Sequence, residues 1–436
     1  MSPITSDPTV PFTVGVALDG AGWHPAAWRE PAARPGELFT ARYWQHLVST
    51  ADTAGLDYAT IDDSLHLRGQ RLFDGEVPPR PRPGLVEGRL DALLIASWLG
   101  PNTRGIGLVP TVTTTYTEPF HVATALQTLD HVTLGRAGWQ LRFSAGAEDA
   151  AAFGRRPAPE IDAAAVVAGA PDAGLEALLD EAADAAEVAR RLWDSWEDDA
   201  IIRDVETGRF LDADRLHHID FTGERFSVAG PSIVPRSPQG QPPVTLLAHA
   251  PQIFGLAARS ADVVFVTPDN ASPNAGASSG KSAAEIVAEV RTAEREHDRA
   301  SRGLAPLRIV ADLVVALDGD AEGAAARLLR LDELLERPFA SDARIFAGGV
   351  EHAIELIAEW RRAGIEGVRL RPLALPDDLD LIAEALLPAL RSRGLAAARP
   401  PADTGERAGW PSLRERFGLG PAENRYRSVV PEERAA

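Results

Sequence analysis

The 436-residue sequence predicts an α/β fold, a (β/α)8 TIM barrel with an insertion between strands 4 and 5 and a C-terminal tail. Three observations point to it. Short apolar, β-branched runs recur eight times; most are followed by a stretch with helical spacing; and one gap of about a hundred residues interrupts the rhythm. Such alternation marks a parallel sheet, whose strands need helical crossovers, and eight units suit a closed barrel better than an open doubly wound sheet.

In chain order the strands are FTVGVAL from Phe12, DYATID from Asp57, RGIGLVPT from Arg104, AGWQLRF from Ala137, VTLLA from Val244, DVVFV from Asp262, RIVADLVVAL from Arg308 and EGVRLRP from Glu366. The third, fifth and sixth are almost continuously apolar, as expected of strands covered on both faces. Helical spacing places Phe39, Tyr43, Leu47 and Ala51 on one face of the first helix. It places Val350, Ala353, Ile354, Ile357 and Trp360 on one face of a late helix that stops at Gly364. All of 1–436 reads as one domain. Residues 144–243 form the insertion, with a long helix from Leu175 to Trp196 and a polar two-strand stretch from His217 to Val228; a lid or substrate wall is its natural role. Asp269 to Lys281, rich in Asn, Ser, Gly and Pro, reads as a mobile loop, and 395–436 as a Pro- and Arg-rich tail.

Composition narrows the function. A formal net charge of −19 repels phosphodiester backbones and anionic lipid headgroups, and no basic cluster reverses it locally, so neither nucleic acid nor a membrane is expected as partner. The absence of cysteine removes disulfides, thiolate nucleophiles and Cys-ligated metal centres. No apolar run approaches the ~20 residues that span a bilayer, and the start MSPITSDPTVPF lacks the basic and apolar regions of a signal peptide, so a cytoplasmic protein is expected.

Individual motifs each admit two readings. GASSGKS, from Gly276 to Ser282, resembles a phosphate loop, but the required first glycine falls on Ala275, and a linker capping the next helix accounts for it better. His217 and His218 are neighbours that point to opposite faces of a strand and cannot share an ion, so no metal site is expected. Asp62 and Asp63 close the second strand, where a barrel places its active site; one of them faces inward, or either caps the following turn. His24 and Trp28, after the first strand, can hold an aromatic substrate or a flavin, or simply pack their loop. In TVTTTYTEPFH, from Thr111 to His121, the hydroxyls suit a flavin ring or a phosphate, yet threonine is also a good strand former.

Together these segments resemble the nitrilotriacetate monooxygenase and dibenzothiophene-sulfone monooxygenase branch of the luciferase-like flavin monooxygenase superfamily. The likeness runs from HPAAWREP and IDDS through TVTTTYTEPFHVATALQTLDHVTLGRAGW to LWDSWEDDA, IDFTGERFSVAGPSIVPRSPQG and AARSADVVF, and ends in AGGVEHAIELIAEWRRAGIEGVRL and SLRERFGLG. It implies a barrel that takes reduced FMN from a separate NAD(P)H:flavin reductase and oxygenates a small organic substrate with O2. By position, Asp63 would approach the flavin, Thr111 and Thr113 would line its pocket, and Gln140 would stand where the family has an asparagine. His24, Trp28 and Tyr116 would face the substrate, His24 and Asp63 being the catalytic candidates. Relatives commonly form dimers, which leaves a homodimer open.

Two departures matter. Where the family has Gly-Ser-Ser to hold the phosphate, this chain has Ala248, His249, Ala250 and Pro251, which leaves the phosphate to His249, the backbone at Ala250 and a helix N-terminus. The family's His-Asp-x-Arg-Tyr signature gives way to VVAGAPDAGLEALLDEAAD. Two alternatives follow: an F420-dependent oxidoreductase of the same superfamily, or a degenerate barrel that has lost tight flavin binding.

Overall fold

Each of the eight predicted runs forms a strand, and the strands close. The computed structural model describes residues 11–67, 83–167, 170–270, 279–318, 323–398 and 410–427. Its barrel strands are β1 (Thr13–Leu18), β2 (Tyr58–Ile61), β3 (Gly107–Thr113), β4 (Trp139–Arg142), β5 (Val244–Leu247), β6 (Val263–Val266), β7 (Arg308–Leu317) and β8 (Gly367–Pro372). Each pairs in parallel with the next, and β8 returns to β1 with Thr13 opposite Gly367 and Val16 opposite Leu370. Alternation sorts the side chains: Val14, Val16 and Leu18 join the layer beneath the helices, whereas Tyr58, Val109, Phe265 and Val310 meet inside the barrel.

A strand not foreseen in the sequence, Arg344–Gly348, pairs with the outer half of β7 from Leu313 to Leu317. Its physical reason is a mismatch of lengths. β7 has ten residues and β6 four, so β6 pairs only with Arg308 to Ala311 and leaves the rest of that edge to be covered.

The helices used below are α1 (Ala41–Ala54), α2 (Ala92–Leu99), α3 (Pro119–Thr133), α4 (Ala147–Phe153), α5 (Ala173–Asp194), α6 (Pro251–Ser260), α7 (Ala283–Glu296), α8 (Ala324–Leu335) and α9 (Val350–Arg362). Two boundaries correct the expectation. Phe39 does not line α1: Thr40 caps the helix by accepting the N–H of Tyr43, and Phe39 lies outside it, 55% exposed. The long helix runs two residues earlier than expected because Asp172 accepts the N–H of Leu175 and starts it at Ala173. Between β4 and β5, α5 packs on α3 and α6, with Trp193 donating to the carbonyl of Ala123 at 3.0 Å. The expected hairpin appears as Phe221–Thr222 with Ser227–Val228, and another, Ile201–Asp204 with Arg209–Leu211, had no alternating pattern to announce it. Most of the loop expected at 269–281 falls on 271–278, outside the described residues; Ser282 does cap α7, in a reciprocal pair with Glu285.

The tail is the larger surprise. Leu413, Phe417 and Leu419 are buried against Tyr58, Val109, Val263, Phe265 and Val310 and stopper the end of the barrel at which its strands begin. Leu413 N–H donates to the carbonyl of Gly135 at 3.0 Å, and Gln239 accepts the N–H of Arg414 at 2.8 Å while donating to Asp130 at 2.6 Å. Glycine is required here. A Cβ on Gly107 or Gly138 would stand 2.6 or 2.9 Å from the Leu413 methyls. Leu413→Ala should therefore cost roughly 2–5 kcal/mol, because the void opens among strands that cannot collapse into it. Equilibrium denaturant unfolding checks this, and a loss under 1 kcal/mol would mean that the stopper is dispensable.

Candidate active site

Strand β8 carries Arg369 and Arg371, two residues apart and therefore on one face, and both point into the barrel. Neither can lose its proton, so each needs a buried anion. Asp312 of β7 serves both. It takes Arg369 Nε at 2.6 Å and Nη2 at 2.5 Å, and also binds Arg371 Nη2. The guanidinium of Arg369 lies 3.7 Å from the ring centroid of Phe265 and donates from Nη1 to Gln140 at 2.6 Å. Arg371 lies over Trp23 and donates to Asp342 at 2.6 Å, and Asp342 pairs with His249 Nε2 at 3.3 Å. Against its desolvation, Arg371 and His249 hold the Asp342 carboxyl well below the usual range. An unbroken chain of polar contacts thus runs from Gln140 to His249, just past the end of β5.

Where the strands end, β2, β3 and β4 form one arc of the mouth. Asp62 pairs with Arg89 at 3.2 Å and with Arg142 at 3.3 Å, while Arg142 also donates to the Asp63 carbonyl at 2.7 Å. Asp63 accepts N–H groups from Ser64 at 2.7 Å and from Ala92, the first residue of α2, at 2.9 Å. Burial pushes its carboxyl up to about 6, against the pull of those hydrogen bonds and of Arg89. On β3, Thr111 and Thr113 are buried, and Thr111 stands opposite Gln140 with no partner for its hydroxyl among the described residues. Tyr116 adopts φ +68°, stacks on Phe153 of α4 at 5.6 Å and lies under Arg156, whose guanidinium stands beside its hydroxyl.

The structure thus brings Asp63, Thr111, Thr113, Gln140 and Tyr116 onto adjoining strand ends. It sets His249 and Ala250 at the end of β5, where Ala250 precedes α6 and gives it no side-chain cap. His249 is engaged by Thr267 at 3.1 Å as well as by Asp342. His24 is held elsewhere. Its Nδ1 accepts the N–H of Ala26 at 3.0 Å, Nε2 meets Asp332 of α8 at 3.1 Å, and its ring packs on Phe339, with burial lowering its affinity for a proton. Trp28 donates to the Gly84 carbonyl at 2.9 Å. His217 pairs with Glu197 at 2.8 Å and stacks on Tyr426.

Sequence reasoning missed Arg142, Arg369, Arg371 and Asp312, and also His66, Ser144 and Asp149, which meet at the mouth. The arginines were legible: charge at alternate positions of a strand buried on both faces demands an ionic partner inside. A reduced flavin fits these residues at its ring end. The Thr111 hydroxyl, buried with no partner among the described residues, is a donor and acceptor open to a polar heterocycle, and Asp63 ends the neighbouring strand's turn. Its phosphate end would rest on the N-terminus of α6, His249 and the Ala250 backbone.

Comparison with known proteins agrees with this architecture. Residues 21–344, which hold six of the eight strands, match the model of the family described as luciferase-like monooxygenase. The chain belongs to that family. It is 28% identical to N-acetyl-S-(2-succino)cysteine monooxygenase of Bacillus subtilis, over 95% of this chain and 98% of that one. It is 34% identical to component A of the nitrilotriacetate monooxygenase of Aminobacter aminovorans, over 58% of this chain and 53% of that one. Among solved structures, a riboflavin lyase with modified FMN and riboflavin superposes with a TM-score of 0.74 at 22% identity, covering 94% of this chain and 96% of its own. The family's barrel is therefore present, and this member fills its interior with the Arg369, Asp312 and Arg371 triad.

Two outcomes are expected. Asp312→Ala leaves two buried guanidinium groups without their shared anion and should destabilise the protein by about 3–5 kcal/mol, read by denaturant unfolding. Asp63 binds its proton more tightly folded than unfolded, so its contribution favours folding at acid pH and is lost as pH rises from the unfolded value, near 3.8, through about 6. Relative to the parent, Asp63→Asn should therefore gain up to about 3 kcal/mol of stability between pH 4 and 7 and then level off. A difference independent of pH would show that Asp63 titrates normally.

Proposed function

We propose that this luciferase-like enzyme is a monooxygenase that oxidises a small organic substrate with O2, using reduced FMN delivered by a separate NAD(P)H:flavin reductase. The observation that carries the reading is the arc of Asp63, Thr111, Gln140 and Tyr116 at the mouth of a closed barrel, with the buried Thr111 hydroxyl left without a partner among the described residues. When bound, reduced FMN supplies the electrons that activate O2. The protein's tasks are to orient the ring and keep water from it.

Named residues divide those tasks. Thr111, Thr113 and the amide of Gln140 line the wall; the Gln140 carbonyl is committed to Arg369, which fixes the direction of the amide. Asp63, ionised above about pH 6, accepts hydrogen bonds at the edge of the mouth. Tyr116, strained and flanked by Phe153 and Arg156, forms the substrate side together with the segment 144–243 acting as a wall. His24 and Trp28 contribute by holding their loop against α8 and Gly84 rather than by contact, because the polar atoms of both rings are already bonded. His249 and Ala250 receive the phosphate.

A barrel with weakened flavin binding is the second reading, favoured by the engagement of His249 with Thr267 and Asp342. Anaerobic titration with FMNH2, and in parallel with reduced F420, separates the readings. The proposal expects saturable FMNH2 binding, weakened roughly tenfold or more by Asp63→Ala, which removes a charged hydrogen-bond acceptor. Selective binding of F420 would replace it with a hydride-transferring oxidoreductase, and binding of neither with the degenerate barrel.

A further inference from the structure

The mouth holds a histidine and carboxylate pair that the reading above does not use. His66 follows β2 by five residues, and its Nδ1 lies 3.1 Å from both oxygens of Asp149 on α4. The Asp149 side chain is 1% exposed and that of His66 11%. Asp149 is itself fixed: Ser144, two residues past β4, donates its hydroxyl to Oδ2, and the Ser144 N–H donates to Thr115 of the β3 loop at 3.0 Å. The His66 carbonyl accepts the Ser64 hydroxyl at 2.9 Å. Three consecutive strand ends thus clamp one imidazole at the face where barrels of this kind do their chemistry.

The protonation pattern follows from the donors. Burial opposes it, but hydrogen bonds from His66 and Ser144, with the charges of His66 and Arg142, hold the Asp149 carboxyl below its ordinary value. An ionised carboxylate only accepts, so His66 Nδ1 carries a hydrogen, and in the neutral ring the lone pair sits on Nε2. No described residue hydrogen-bonds to Nε2. The charged and titratable groups acting on this pair are Arg142 on β4, which also pairs with Asp62 just past β2, and Tyr116 on the β3 loop, on which Asp149 acts in turn.

Resting on the flavin reading, we propose that His66 is the site's proton acceptor and Asp149 the positioning residue that fixes its tautomer. In that step an N–H bond forms at Nε2 as an O–H or N–H bond of the bound molecule breaks. The electron pair stays with that molecule, the imidazolium is balanced by Asp149, and nothing is oxidised.

Two measurements test it. In 15N-histidine-labelled parent protein at pH 8, the His66 resonances, assigned by their loss in His66→Gln, should show the Nδ1–H tautomer, and Asp149→Asn should move the ring toward Nε2–H. In stopped flow, the anaerobic FMNH2 complex is mixed with oxygenated buffer from pH 5.5 to 9. The parent's oxidation rate should follow a single titration that His66→Gln and His66→Asn abolish, with the rate at pH 8 changed at least roughly tenfold and FMNH2 affinity held within threefold. An Nε2–H tautomer in the parent, or an unchanged pH profile in both variants, overturns the proposal and leaves the flavin reading standing. Failure of the parent to bind FMNH2 overturns both.

Discussion

The barrel's interior depends on a single carboxylate. Asp312 is the anion that two buried arginines share: it is the carboxylate that holds Arg369, while Arg371 divides its donors between Asp312 and Asp342. Gly15 on β1 leaves room for the Tyr58 ring, Phe265 and Trp23 give the guanidinium groups aromatic faces, and Gln140 and Asp342 accept from their outer nitrogens. An apolar filling would have served stability as well or better. A fixed ionic one, directional and rigid, aims Gln140 and Asp342 at the mouth, which fits an interior selected to orient groups as well as to pack.

Much of the fold was legible because it rests on patterns one residue deep. β-Branched runs made the strands, and the start of α3 at Pro119 and the end of α9 before Gly364 followed from proline and glycine geometry. What escaped notice depends on partners far away in the chain. Arg344–Gly348 is a strand only because β7 outruns β6, and Asp149 meets His66 across 83 residues. Candidate residues on β3 and β4 and just past β2 could be named from the sequence because strand ends are predictable. His24 was placed with the substrate by resemblance, but its neighbours Asp332 and Phe339 come from the other side of the barrel's sequence, and no local pattern announces them.

The segments that carry the family likeness are largely structural. HVTLGRAGW, RSPQG and SLRERFGLG meet at Asp130, Gly135, Gln239 and Arg414, at the end of the barrel opposite the candidate site. The LWDSW stretch receives Asn424, which donates to the carbonyls of Asp194 and Trp196 at 2.8 Å each. Likeness there reports how the barrel is built, whereas the strand ends, where this chain has Ala248, His249 and Ala250, report what it binds.

The stopper also constrains the order in which the molecule can assemble. Leu413 and Phe417 follow the eighth strand, so a chain emerging from the ribosome can pair β1 with β2 early yet holds an open underside until those residues are released. Filling of the base therefore waits for residues 413–419, whereas the ring itself closes through β8 and β1. Until then Tyr58, Val109 and Phe265 lack the apolar cover that Leu413 and Phe417 give them, so the barrel's floor is completed from outside the barrel's own strands.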